Sequence, residues 1–340
     1  MTNPIGQTQH LSTVLTGIKP TGVPHIGNYL GAIAPALRRS GEFDQSFFFI
    51  ADYHALNSIQ SSEQMSELPR VVAATWLASG LDPKKVHFYR QSAIPEIFEL
   101  ETILNAFIPK GWMNKMHAYK ASVDINRQTG KTDDDGVNMG LYTYPILMAC
   151  DILMFNTTAV PVGKDQVQHV EIARDIAQRF NKNYATDAIT LPNYILEEGI
   201  EEVPGLDGRK MSKSYNNTIP LFASREQWTN AVRQVVTDNI THTPESFRET
   251  VLYKLFSAIA DRPATDALMH DFVSGSIGWK LAKDRLVDAL EDRFKEPSKK
   301  YFELMENPSK IDTLLREGGE AIRPIAQHNL AAIKSIIGIR

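Results

Sequence analysis

The chain has 340 residues, 43% apolar and 22% charged, enough to bury a full core in one large domain and a smaller one. A formal net charge of −4 is unlike that of a general nucleic-acid binder, so DNA is not expected and any RNA partner needs a local site. The single cysteine, Cys150, excludes intrachain disulfides and multi-cysteine zinc sites.

Residues 1–10 are polar, without the apolar segment of a signal peptide, and no run approaches the ~20 apolar residues of a membrane helix. A cytoplasmic chain without membrane contact is therefore expected. The run TVLTGI from Thr13 is β-rich and breaks at Lys19-Pro20-Thr21-Gly22. Residues 46–52, SFFFIAD, are continuously apolar up to Asp52, as expected of a parallel strand buried on both faces. VHFYR (86–90) and TTAVPVG (157–163) read the same way. From Met65 to Ser79 apolar residues recur at helical spacing, with Gly80 as the stop. After PVG, Asp165 is expected to cap a helix with Val170, Ala173, Ile176, Ala177 and Phe180 on one face.

Strands alternating with helices predict an α/β fold with a doubly wound parallel, Rossmann-type sheet. The most loop-like segment inside it is DINRQTGKTDDDGVN, 124–138. From about Ser224 onward only helices are expected. Trp279, Leu286, Leu290 and Phe294 form one stripe, and Ala326, Leu330, Ile333 and Ile337 another, ended by Gly338. The reading is an α/β domain at 11–219 and an all-helical C-terminal domain at 220–340, its last helix folding back on the first domain.

Three segments carry candidate chemistry. In KPTGVPHIGNYLGA (19–32), glycines at the first strand-to-helix turn expose backbone, and a helix N-terminus there favours phosphate. Such a turn is as often purely structural. In GRKMSKSYNN (208–217), a lysine–serine run surrounds one methionine. That composition suits a solvated loop as well as a mobile loop over a polyphosphate. In MACDILMF, Asp151 is a carboxylate in an apolar segment, tolerated there only if paired or functional. His54 in ADYHAL reads equally as a core histidine or a ligand contact, and His169 and Glu171 read as structural residues.

His-Ile-Gly after the first strand, followed later by Lys-Met-Ser-Lys-Ser, resembles the class I aminoacyl-tRNA synthetases over about residues 15–217. GNYLGA, YPILMACDIL (144–153), PVGKDQVQHVEIARDIAQRFN (161–181) and KMSKSYNN resemble the tryptophan-specific branch of that class. The resemblance implies ATP bound by Lys19, Pro20, Thr21, Gly27 and Asn28, by Gly163, Lys164 and Asp165, by backbone near Val203, and by Lys210, Met211, Ser212, Lys213 and Ser214. Lys210, Lys213 and Asn28 would carry catalysis. Tryptophan would meet Asp151, Gln166 and His54, between walls formed by Met148, Val160, Val162 and Leu15. It further implies Mg²⁺ carried on the ATP phosphates with no metal site in the protein, L-tryptophan and tRNA(Trp) as partners, and a homodimer.

Two departures stand out: Lys19, where many bacterial members of this branch have glutamine, and a longer insert at 124–138. The tyrosine-specific branch shares both motifs but usually has tyrosine where Leu15 stands and glutamine where Met148 stands. An adenylyltransferase for small molecules would lack the lysine pentapeptide. A paralogue that only binds tRNA or tryptophan is the third alternative.

Overall fold

The computed structural model describes residues 11–196, 203–237 and 239–339, so the polar stretch 1–10 lies outside the described residues. Strands β1 (Thr13–Ile18), β2 (Gln45–Ile50), β3 (His87–Arg90), β4 (Ala159–Val162) and β5 (Asn193–Leu196) form one parallel sheet in the order β3-β2-β1-β4-β5. Its strand order reverses between β1 and β4. In an open parallel sheet, the crevice at the carboxyl ends of those two strands is where ligands bind. The glycine turn after β1 and the Gly163-Lys164-Asp165 turn after β4 both sit at that crevice.

The first helical stretch, α1, runs through Ile26–Asn28, a π-helical turn at Tyr29–Ile33, and Ala34–Arg39. A short helix α2 (Asp52–Ala55) follows β2, then α3 (Ser62–Ala78), capped by Ser61 and ended at Gly80 with φ +111°. Helices α4 (Glu96–Asn105), α5 (His117–Gln128), α6 (Met139–Met154) and α7 (Val167–Tyr184) complete the α/β part. The expected face of α7 is buried from Val170 to Phe180 against the sheet.

Three expectations need correction or addition. Asp165 does not cap α7: the chain first makes a tight turn at Lys164–Gln166, and the cap position falls on Gln166. Part of the 124–138 segment is helix, because α5 continues to Gln128. The remainder folds onto that helix: Asn126 donates to the carbonyls of Asp133 and Asp135, and Arg127 pairs with Asp133. Strand β5 is an addition: it is only four residues long, Asn-Tyr-Ile-Leu, and three of the four are exposed.

Beyond the lysine–serine loop the described chain is helical. Helix α8 (Arg225–Arg233), with Ser224 and Gln227 as a capping box, precedes α9 (Val251–Ile259), α10 (Arg262–Val273), α11 (Trp279–Met305) and α12 (Pro308–Ile337). Leu286, Leu290 and Phe294 of α11 pack with Trp228 and Phe256 in one core, which also takes in Ile26 and Met211. Among the described residues, no helix is long and apolar enough to cross a membrane.

The last helix packs against the sheet and its neighbours. Ile311 and Leu315 join Phe48 and Trp76 in one core, while Ile322, Ala326, Leu330 and Ile333 join Leu15 and Phe47 in another. Arg70 and Arg90 both pair with Asp312 at 2.7 Å. Close approach explains the glycine pair in the middle of α12. A Cβ on Gly318 would overlap the carbonyl oxygen of Phe88 in β3, and one on Gly319 would lie 2.6 Å from the Ala93 Cβ. Helix propensity alone favours alanine at such a site by about 1 kcal/mol. Overpacking against backbone should outweigh it, so Gly318→Ala is expected to destabilise the protein by about 1–3 kcal/mol in urea unfolding. A stabilised variant would mean that α12 does not press on β3.

Candidate active site

The phosphate-binding candidates begin where β1 ends. Thr21 N–H closes a tight turn onto the Lys19 carbonyl (2.9 Å), and Gly22 has φ +142°. His25 then precedes α1. Its N–H donates to Asn28 Oδ1 at 3.0 Å, so Asn28 spends its acceptor on the turn and keeps an exposed amide. At Gly27 the reason for glycine is contact: an added Cβ would sit 3.0 Å from His25 Nδ1 and 3.3 Å from the Met211 Cβ.

Met211 is the anchor of the lysine–serine loop. It is buried beside Ile26, Leu206 and Ile219, and its sulfur accepts the Gly27 N–H at 3.3 Å. Asn217, 2% exposed, fixes the rest of the loop. Its amide donates to Asp207 Oδ1 (2.6 Å) and the Lys210 carbonyl (3.1 Å), and its Oδ1 accepts the Ser212 N–H (2.8 Å). Gly208, at φ +84°, allows the preceding turn, and the Val203 carbonyl accepts the Met211 N–H at 2.9 Å. Lys210, Lys213 and Ser214 remain exposed, and Ser212 caps the next turn by accepting from the Ser214 N–H.

The two motifs therefore meet. Lys213 Nζ lies 2.5 Å from where a Cβ on Gly22 would stand. Desolvation by the surrounding turn holds its pKa below the ordinary lysine value. Burial, and then the Lys213 charge, push the His25 imidazole down to about 4, so it is neutral at physiological pH. The mouth of the crevice carries the exposed cations Lys210 and Lys213, and the first motif contributes no carboxylate of its own.

On the other side of the sheet edge, Asp151 of α6 is 1% exposed. Its carboxylate meets His54 Nε2 at 3.0 Å and accepts Gln91 Nε2 at 2.9 Å on both oxygens. Burial raises its pKa, against the hydrogen bonds from His54 and Gln91. Leu15, Val160 and Val162 lie in the core that flanks α6, and Met148 is partly buried against it. Tyr144 Oη and His169 Nε2 are 2.7 Å apart, and the Tyr144 ring stands edge-on to His54, centroids 6.4 Å apart. Gln166 lies at the turn after β4, where its amide donates to Asp165 at 2.9 Å. Lys19, Pro20, Thr21, Gly163, Lys164 and Asp165 stand on the two turns that flank the crevice. Gln91, Tyr144 and Asn217 escaped the sequence reading, because a lone amide or phenol has no spacing that marks it. Among the described residues, no group of three or more His, Cys, Asp and Glu side chains could hold a metal.

A cationic loop over a glycine turn, beside an apolar core that holds the buried Asp151 carboxylate, suits a substrate with phosphates at one end and a ring donor at the other. The sequence profile of the tRNA synthetases class I (W and Y) family matches residues 7–295. The chain belongs to that family.

Within it, a tryptophan–tRNA ligase of Bordetella parapertussis is 47% identical over 96% of this chain and 73% of its own length. One from Neisseria meningitidis is 44% identical over 96% of this chain and 98% of its own. The fold matches a crystal structure of tryptophanyl-tRNA synthetase from Campylobacter jejuni, complexed with ADP and tryptophan, with a TM-score of 0.86. The two are 38% identical over 96% of this chain and all of that one.

For this synthetase, the low His25 pKa fixes a sign. The folded-state value of about 4 lies below the ordinary histidine value of 6.5 expected once unfolded, so the unfolded chain binds the extra proton first as pH falls. The His25 contribution is fully present above about 6.5, is lost as pH falls from there through about 4, and is flat below that. Thermal melts should therefore show wild type losing more stability than His25→Gln between these limits, and parallel curves would contradict it.

Proposed function

We propose that this chain is a tryptophan–tRNA ligase, with Asp151 as the acceptor that selects tryptophan. The indole N–H is a donor only, so its pocket needs one buried acceptor among apolar walls. Asp151, buried on an apolar helix behind Leu15, Val160, Val162 and Met148, is the observation that carries this reading. The names of its relatives support it. The tyrosine-specific reading is disfavoured by the apolar Leu15 and Met148, which suit indole better than phenol.

The reaction has two steps. The tryptophan carboxylate attacks the α-phosphorus of ATP, forming the acyl–phosphate bond of tryptophanyl-adenylate and breaking the bond to pyrophosphate. A ribose hydroxyl at the 3′ end of tRNA(Trp) then attacks the acyl carbon, releasing AMP. No enzyme nucleophile is needed: alignment and charge stabilisation carry the catalysis. Lys210 and Lys213 neutralise the pyrophosphate as it leaves. Lys19, Pro20, Thr21, Gly27 and Asn28 take the nucleotide from one side, and Gly163, Lys164, Asp165 and the Val203 backbone from the other. Met211, Ser212 and Ser214 set the loop that carries the lysines. His54 and Gln166 reach the amino acid beside Asp151. Mg²⁺ enters on the ATP phosphates. The catalytic domain is residues 11–219, and the helical domain, 220–340, takes the anticodon side of the tRNA. The family resemblance further supports a homodimer acting in the cytoplasm.

Tryptophan-dependent ATP–pyrophosphate exchange, run across all twenty amino acids, tests the assignment: exchange with tryptophan alone supports it, and exchange with tyrosine instead would overturn it. Lys213→Ala should slow adenylate formation by about two to three decades, or about 2.7–4 kcal/mol, with tryptophan affinity little changed. Pre-steady-state activation kinetics measure this; a normal rate with poor tryptophan binding would remove Lys213 from the transition state. Asp151→Ala should lose about 1–3 kcal/mol in the specificity constant for tryptophan. Met148→Gln should narrow the preference over tyrosine by placing a polar group in the apolar wall. Unchanged tryptophan activation in Asp151→Ala would make Asp151 structural.

A further inference from the structure

Gln91 lies at the C-terminal end of β3 and is completely buried. Its surroundings fix which way its amide points. The Tyr53 N–H is shared between Asp52 Oδ1 (3.1 Å) and Gln91 Oε1 (3.2 Å). Asp52 also accepts from Ser92, through its N–H at 3.1 Å and its hydroxyl at 2.5 Å, which clamps the β2 and β3 ends together. With its one acceptor met by a backbone donor, the Gln91 amide turns its nitrogen to Asp151, 2.9 Å from both oxygens.

We propose that Gln91 is a positioning residue for amino-acid recognition: it holds the Asp151 carboxylate ionised and oriented, so that its outward lone pairs accept the substrate N–H. The inference rests on the tryptophan reading above. Asp151 faces a mixed set of titratable groups. Burial and Asp52 disfavour its charge and His54 favours it, while Glu101, the Tyr89 hydroxyl and the Cys150 thiol are pushed up first by burial and then by nearby carboxylates, Asp151 among them. The Tyr89 hydroxyl makes no hydrogen bond, so it gives the carboxylate no donor. Gln91 carries no titratable group, so it supplies a donor that pH does not remove. Without it, burial and Asp52 would favour the protonated form of Asp151, whose O–H opposes the indole N–H, donor against donor.

Exchange kinetics of Gln91→Met and Gln91→Glu between pH 6 and pH 9 test this. Gln91→Met should raise KM for tryptophan about ten- to a hundredfold, leave KM for ATP unchanged, and move the acid limb of kcat/KM for tryptophan to higher pH. Gln91→Glu keeps the shape but cannot donate when ionised, so it should be worse than Gln91→Met at pH 8 and recover as pH falls. A pure packing role predicts the opposite order, with the isosteric glutamate better tolerated and no shift of the limb. That result, or wild-type KM and pH profile in the folded variants, would overturn the inference while leaving the functional reading intact. Wild-type protein that activates another amino acid and not tryptophan would overturn the reading and the inference with it.

Discussion

A carboxylate taken out of water has to be met by donors, and the carboxyl edge of this sheet is arranged around that demand. Asp151 sits on α6, a helix so apolar that its neighbouring turns supply no donor. The donors come from the adjacent strand ends instead. In the parallel register Ile50 lies opposite Arg90, so the chain leaving β2 reaches His54 as the chain leaving β3 reaches Gln91. Both then touch one carboxylate. Breaking either contact leaves a buried charge short of a partner, which makes the three elements mechanically one piece.

Charge is divided between the two sides of the crevice. Beside β1 the groups are cationic or neutral: Lys213 lies against Gly22, and His25 is kept uncharged by burial and by that lysine. Under β2 and β3 the buried anions are internally held, Asp151 by His54 and Gln91 and Asp52 by Ser92. A substrate pairing a polyphosphate with an aromatic N–H matches both ends at once, and reversed polarity fails at both.

The sequence disclosed what depends on long apolar runs or on dense motifs. Phe47 to Ile50 could only be a buried strand, and Lys-Met-Ser-Lys-Ser announces its loop by composition. Strand β5 was invisible because its residues are exposed and its pairing with β4 is a tertiary fact. The loop of Asn217 and the clamp of Gln91 were invisible for a related reason. Each is a single amide whose meaning comes from partners far apart in sequence: Asp207 and Ser212 for one, Tyr53 and Asp151 for the other. Met211 stood out among polar neighbours, but only its burial against Ile26 explains it.

The same remoteness governs how the helical part joins the site. α12 is bolted on both sides of the Asp151 shell. Asp312 holds Arg90, the residue before Gln91, and Asn329 donates to the carbonyl of Met154, three residues beyond Asp151. Arg323 pairs with the buried Glu96 between them. Gly318, pressed on the Phe88 carbonyl, leaves no room for the helix to move toward β3. A shift of α12 thus loads the two backbone segments from which the carboxylate and its amide partner project. Packed helices and strands transmit such a load because their interiors have little free volume to absorb it. The geometry that places Asp151 is therefore set partly by a helix from the far end of the chain.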